Sequence, residues 1–397
     1  MSAAPECEGL VLYNPFDYAL QENPYPIYAR LRDEAPLYRN DELDFWALSR
    51  HADVNAAFRD PALFSSAHGV TLEMWDAAAA DLVGFLAMDP PRHTRMRALV
   101  SRGFTPARVA GLEPAVRAVT REHLMPALEA GTFDFAGVVS AIPVYVVSEL
   151  LGVPRADRAE MLRLSEILIT RHDGDAGIPQ SFWDAGLALT ARYRELIAER
   201  RARPRDDLIS ALVLAEIDGD RLGDEEIVAV LSLIGVAGNE SVTKLAANAW
   251  YQAWLHPGQR AIAWAGAVTA WVEETLRYDG SAQMVARRLT RDTVLHGTEV
   301  PAGARVVLLG ASANRDPRVF PHADRYDLTR DTGQALAFGS GPHFCLGAAL
   351  ARLQLRVMLE ELVAAVDGYD IDEKGIELVH SPNLRGFRAL PTEVTLR

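Results

Sequence analysis

The sequence predicts a mainly α-helical protein with a small β-rich region, and three observations carry that expectation. Asp224 to His256 reads as one long helix, apolar on every side between Ile227 and Val236, which is the pattern of a buried helix. AALARLQLRVMLEELVAAV, Ala348 to Val366, reads as another, with Leu350, Leu353, Val357 and Leu362 on one apolar face. Strand signals are confined to DFWALSR, to TVLHGTEVPAGARVVLL and to the C-terminal HSPNLRGFRALPTEVTLR.

Taken in order, NPFDYALQENPYPIYARLRDEAPLYRND has prolines that break the tail before a short helix, Pro26 to Glu34. DFWALSR follows as a strand, and Ser49 is placed to cap a helix running through HADVNAAFRD to Pro61. Residues 65–88 mix Gly69, Gly84, an alanine run and large apolar groups, and favour neither periodicity. Several helices come next, separated at GTFDF, LGVPRAD and the loop RHDGDAGIPQ. After the long helix, which ends at HPG, two short runs in TVLHGTEVPAGARVVLL flank a turn, and the final segment suggests a terminal hairpin. No Pro/Gly/Ser-rich linker, composition break or repeat divides the 397 residues, so a single domain over 1–397 is expected.

With 49% hydrophobic and 24% charged residues the chain can bury a large core. A formal charge of -14 without a basic stripe argues against nucleic acid and anionic membranes as partners. MSAAPECEGL lacks the charged-then-apolar order of a leader, and the longest clean apolar stretch, Ile227 to Gly238, falls short of the roughly 20 residues of a membrane span. A cytoplasmic location without a membrane span is expected, and two cysteines, Cys7 and Cys345, suit a reducing compartment. Cys7 is read as a tail residue without a role.

The chemistry concentrates in FGSGPHFCLG, Phe338 to Gly347. Gly339 and Gly341 allow a turn that brings amides toward the Cys345 sulfur, and the helix that follows offers unpaired N–H groups and its positive end, which favour a thiolate. Phe338, Gly341, Cys345 and Gly347 form the pattern Phe-x-x-Gly-x-x-x-Cys-x-Gly, which resembles the haem-binding signature of the cytochrome P450 superfamily. Four fixed positions of uncommon types make a chance match rarer than about one in 10⁵ windows.

Other segments carry the same resemblance. AGNES, Ala237 to Ser241, places a glycine and a carboxylate inside the buried helix, where interior glycine costs about 1 kcal/mol and an unsatisfied acid more. It resembles the family's oxygen-binding groove, in which Ala237 and Gly238 leave room beside the iron, and Glu240 and Ser241 form an acid–alcohol pair that relays protons to dioxygen. Serine stands where threonine is usual, which keeps the hydroxyl and loses the methyl's control of its rotamer. The same residues admit a plain packing role, with Glu240 pairing with Lys244 at helical spacing and Ser241 bonding back to the carbonyl four residues earlier. EETLR supplies Glu274 and Arg277, similar to the Glu-x-x-Arg pair that bonds to the meander, for which NRDPRVFPHADRYDL is the counterpart with Ala323 and Tyr326 replacing the usual proline and phenylalanine. His93 and Arg97 in DPPRHTRMR, Arg287, and His343 resemble the cations that clamp haem propionates.

The resemblance spans nearly the whole chain and implies a triangular helical prism with a small β-rich region, holding haem b between the buried helix and the helix after Cys345. Cofactor contacts fall on His93, Arg97, Ala237, Gly238, Arg287, Phe338, Gly339, His343, Cys345 and Gly347, with Cys345 as axial iron ligand. It implies a monooxygenase that uses O2, with electrons from NAD(P)H through a ferredoxin and its reductase, acting as a monomer on a hydrophobic small molecule of the fatty acyl, terpenoid, steroid or polyketide class, in the manner of secondary metabolism. Met74, Phe85, Ile169, Ile234, Met284, Val285 and Leu384 would line its pocket. Arg171 and His172 offer an anionic subsite, and Arg352 with Arg356 a docking face for the ferredoxin. A peroxide-driven or non-oxygenating haem-thiolate enzyme and a haem-containing sensor or ligand-binding protein stay open as alternatives.

Overall fold

In the computed structural model, residues 11–73, 75, 84–169 and 179–397 are described. Met74, Arg171 and His172 lie outside them, as does the side chain of Ile169. The described helices are α1 Tyr18–Glu22, α2 Tyr25–Glu34, α3 His51–Arg59, α4 Arg92–Ser101, α5 Pro106–Gly111, α6 Glu113–Ala130, α7 Phe135–Leu151 and α8 Arg155–Ile169. They continue as α9 Gln180–Ala202, α10 Leu208–Leu214, α11 Asp224–Leu255, α12 Pro257–Trp264, α13 Val268–Tyr278, α14 Gly310–Ala313 and α15 Ala348–Ala365. The architecture is thus mainly helical, organised around α11, whose 32 residues pack against α7, α9, α13 and α15.

Local chemistry sets the boundaries of the central helices. Asp224, Glu225 and Glu226 place negative charge at the start of α11, and Glu226 Oε2 accepts from Gly223 N at 2.9 Å. Asp134 caps α7 by accepting from Ala136 and Gly137, and Gly152 ends that helix in the left-handed region at φ 77°. By length and composition α11 could cross a membrane, but it carries Asn239, Lys244, Asn248 and Gln252 buried among neighbouring helices. That is the position of a core helix.

The first strands are β1 Leu37–Asn40, β2 Phe45–Leu48, β3 Phe64–Ser65, β4 Thr132–Asp134, β5 Glu216–Ile217, β6 Asp220–Arg221 and β7 Val285–Leu289. The rest are β8 Thr293–Leu295, β9 Thr298–Val300, β10 Arg305–Leu308, β11 Val366–Ile371, β12 Glu377–Leu378, β13 Phe387–Ala389 and β14 Pro391–Leu396. A five-stranded sheet runs β1-β2-β10-β7-β3, with β2 and β10 parallel and the other pairs antiparallel. It delivers Arg287, opposite Val306 on β10, into the interior.

Two local expectations are corrected. The C-terminal segment is not one hairpin: β13 pairs with β12, whereas β14 joins β11 and β4 in a separate sheet. Ser49 does not cap α3, because the Asp316 carboxylate reaches the first amide instead, His51 N to Oδ2 at 3.0 Å, and leaves the Ser49 hydroxyl buried without a partner.

Glu274 and Arg277 on α13 organise the chain leading to Cys345. Both are buried, and the guanidinium meets the carboxylate through two bonds of 2.7 Å. Arg277 also donates to the carbonyls of Asn314, Ala323 and Arg325, and Asp327 N donates to Glu274 Oε1. Tyr326 adds a hydroxyl contact to Thr275 Oγ1 at 2.7 Å, so the replacement tyrosine has a partner. Arg277→Ala should leave the buried Glu274 carboxylate with Arg330, at 3.4 Å, as its remaining cation and leave these carbonyls short of a donor, with an expected loss of about 3 kcal/mol in denaturant unfolding. Replacing both members by apolar residues of similar volume should cost less than that single change.

Candidate functional site

The cysteine loop is shaped by what lies beneath it. Gly339 and Gly341 adopt φ of 69° and 68°, and a side chain at Gly341 would meet the Phe58 carbonyl oxygen at 2.6 Å. The loop therefore lies directly on the C-terminal end of α3. Cys345 N donates to Phe338 O at 2.9 Å and closes the turn, and Gly347 precedes α15. Cys345 retains accessible surface, yet protein atoms crowd it from most directions. This burial pushes its thiol above the ordinary value, outweighing the amides of Gly347 and Ala348 and the charge of Arg97.

Four nitrogen-bearing side chains converge beside this loop. His93 and His343 lie with ring centroids 4.0 Å apart, and Arg97, one turn along α4 from His93, donates to Phe344 O at 2.5 Å. His93 is buried with both ring nitrogens unpartnered. Arg287 on β7 is buried too; it donates to the Ala286 carbonyl at 2.8 Å, and its guanidinium lies 6.0 Å from the Phe58 ring centroid. Burial lowers Arg287 to about 10. His343 falls to about 3, first through burial and then through the charges of Arg287, His93 and Arg97. None of the four forms an ion pair among the described residues. Asp89, the acid that acts on His93 and Arg287, is occupied by Ser65 Oγ and Ser66 N.

Such a cluster is suited to an anionic group entering from outside the chain. Ser66, which sequence reasoning passed over, adds a hydroxyl 3.4 Å from His343 Nε2. Nothing in its flanking sequence marks it, because its partners come from distant segments.

The middle of α11 faces accessible space. Val236 is 37% exposed and Ala237 is exposed, between stretches of the helix that are buried or half-buried. Gly238 points elsewhere: a Cβ there would approach Val147 Cγ2 of α7 at 3.2 Å, so its smallness serves helix packing rather than room at the site. Glu240 Oε2 lies 3.3 Å from Lys244 Nζ, and Ser241 Oγ donates to Ala237 O at 2.9 Å. The acid and the alcohol each have an intrahelical partner.

The remaining expected residues divide. Phe85 is buried with its ring 6.2 Å from that of His93, and Ile234 is half-buried on α11. Met284 is corrected: it packs with Tyr13 and Tyr28 in the N-terminal core, where the Tyr13 hydroxyl donates to its sulfur at 3.6 Å. Val285 packs beside the cluster of Leu48 and Phe58. Leu384 bridges to Ala282 and borders a small, partly open cleft between the N-terminal segment and residues 381–385. Phe338 lies under the Arg352 guanidinium at 4.6 Å. The arginines expected to offer a docking face already hold acids, Arg352 with Glu273 and Arg356 with Glu113 and Glu360.

Gly341→Ala should lower unfolding stability by about 1–3 kcal/mol, since left-handed backbone and the Phe58 carbonyl both oppose a side chain. Gly347→Ala, whose Cβ would meet only the Cys345 sulfur at 4.0 Å, should change it by no more than about 0.5 kcal/mol.

Comparison with known proteins places these features. The family model described as Cytochrome P450 matches residues 266–367, which contain Glu274, Arg277 and Cys345. The chain is 49% identical to the cytochrome P450 123 of Mycobacterium tuberculosis, over 98% of each. It is 37% identical to the cytochrome P450 monooxygenase PikC of Streptomyces venezuelae, over 93% of this chain and 90% of that one. Its fold matches the crystal structure of CYP109E1 from Bacillus megaterium in complex with corticosterone, with TM-score 0.87, 30% identity, and 94% and 99% of the two chains covered. At these identities and near-complete coverage, the chain belongs to the cytochrome P450 family of haem monooxygenases.

Proposed function

We propose that this monooxygenase carries haem b, held through its propionates by His93, Arg97, Arg287 and His343 and through its iron by Cys345. The observation that carries the reading is the cluster of buried and half-buried nitrogens without an ion-pair partner among the described residues, with two orphaned imidazole nitrogens on His93, set beside a thiol loop. The donor set fits the group, since propionates would supply the missing charge and iron favours a thiolate, which metal coordination deprotonates despite burial. When bound, the haem supplies dioxygen activation and transfer of one oxygen atom to a hydrophobic substrate.

The chain's own residues bind, orient and deliver protons around that chemistry. Gly341 seats the loop on α3 so that Cys345 is presented from a fixed turn. Val236 and Ala237 give the facing helix an apolar surface that excludes ordered water. Glu240 and Ser241 are assigned proton delivery on the opposite side from the thiol, which requires each to leave its intrahelical partner. Phe85 and Ile234 contribute apolar lining, in keeping with a hydrophobic substrate; a relative of the same fold binds a steroid, and a compact polycyclic or acyl molecule is proposed here. Electrons are proposed to come from NAD(P)H through a separate ferredoxin and reductase. The two cysteines of this chain cannot furnish the four thiolates of a typical iron–sulfur cluster.

The reading is tested by turnover with purified protein, ferredoxin, reductase, NAD(P)H and a panel of steroids, terpenoids, fatty acids and macrolides. Product that requires all three redox components supports it. Product formed only with added peroxide favours a peroxygenase, and ligand binding without product favours a sensor.

Two variant predictions accompany that test. Arg97→Ala and Arg287→Ala should each lower haem content after purification, and the double variant should lose most of it; full occupancy in the double variant would refute the clamp. Ser241→Ala should bind substrate nearly as before while more NAD(P)H is diverted to hydrogen peroxide, and Ser241→Thr should keep or improve coupling. An unchanged ratio of product to peroxide in Ser241→Ala would return the serine to helix packing.

A further inference from the structure

The two lysines of the chain differ sharply in setting, Lys374 on a surface turn and Lys244 buried in α11. Lysine is almost never buried without a partner, and Lys244 has two. Its Nζ lies 3.3 Å from Glu240 Oε2, one turn earlier, and donates to the Phe387 carbonyl of β13 at 3.1 Å. The stem is fixed as well, because Gly386 lies so close that a Cβ there would come within 2.5 Å of Lys244 Cβ. Asn248, one turn further on, donates to Arg385 O at 3.3 Å and joins the same segment to α11.

From this we infer that Lys244 is a positioning residue for Glu240: anchored on β13, it holds the carboxylate in this ion pair until a proton is called for. This rests on the proton-delivery role proposed for Glu240. The pair is largely enclosed, with side-chain exposure of 10% for the lysine and 20% for the acid, so it is weakly screened. A cation at this distance favours the charged form of an acid. Lys244 is the one charged group bonded to Glu240 among the described residues, and what β13 adds is a backbone carbonyl. The anchor also leads into residues 383–386, where Leu384 borders the cleft, so displacement of that segment would move the lysine and loosen its hold on the acid.

The test compares wild type, Lys244→Met and Lys244→Arg, each against its Glu240→Gln counterpart. Infrared difference spectra across pH, taken on the purified holoprotein without turnover, read the protonated Glu240 carboxyl. Its midpoint should rise by at least about one pH unit in Lys244→Met and return toward the wild-type value in Lys244→Arg. In turnover, Lys244→Met should raise peroxide per NAD(P)H by about twofold or more, and the same change should have little effect once Glu240 is glutamine. An unmoved carboxyl midpoint in Lys244→Met overturns the inference, as does an equal rise in peroxide with and without Glu240. An unchanged product-to-peroxide ratio in Glu240→Gln alone would instead refute the relay, and the infrared midpoint would still decide the hold of Lys244 on Glu240.

Discussion

A guanidinium buried without a carboxylate is among the costlier arrangements in a protein interior, and Arg287 is held in that state by the five-stranded sheet. Around it are His93 and Arg97 from α4 and His343 from the cysteine loop, each delivered by a different part of the chain. With both imidazoles pushed toward the neutral form, the charge of the cluster rests on Arg97 and Arg287. The loop is pinned to α3 by the close approach at Gly341, and the meander before it is tied to α13 by the Glu274–Arg277 pair. In a P450 this tension has a natural resolution, because a dianionic cofactor supplies the counter-charge the chain withholds.

The opposing wall obeys a different rule. Helix α11 packs against α7, α9, α13 and α15, and apart from its ends the exposed residues along it are Val236 and Ala237, midway. Its polar groups are individually satisfied within the helix or by β13, so the acid and hydroxyl rest in partnered states. In the proposed relay, Glu240 and Ser241 would each have to exchange the partner it now holds.

Much of this was legible in the sequence. The helical class followed from periodicity at α11 and α15, and the cysteine loop followed from glycine spacing that few unrelated segments share. What escaped was decided by contacts between distant segments. Gly238 reads as an opening at the site, yet the phase of α11 turns it toward Val147. Ser49 has the chemistry of a cap, but Asp316, far along the chain, reaches the amide first. Met284 sits in a segment expected to line the pocket, while its sulfur takes the Tyr13 hydroxyl. Helix position favours a thiolate at Cys345, while the crowding that opposes it comes from segments the fold brings together.

The central claim, that Cys345 presents a thiolate to haem iron within this cationic clamp, is tested most directly by the absorption spectrum of the reduced, carbon monoxide-bound protein. The account predicts a strongly red-shifted Soret band in the intact protein and its loss in Cys345→Ser purified with haem. A Soret band at the position typical of nitrogen ligation in intact, folded wild-type protein would contradict it.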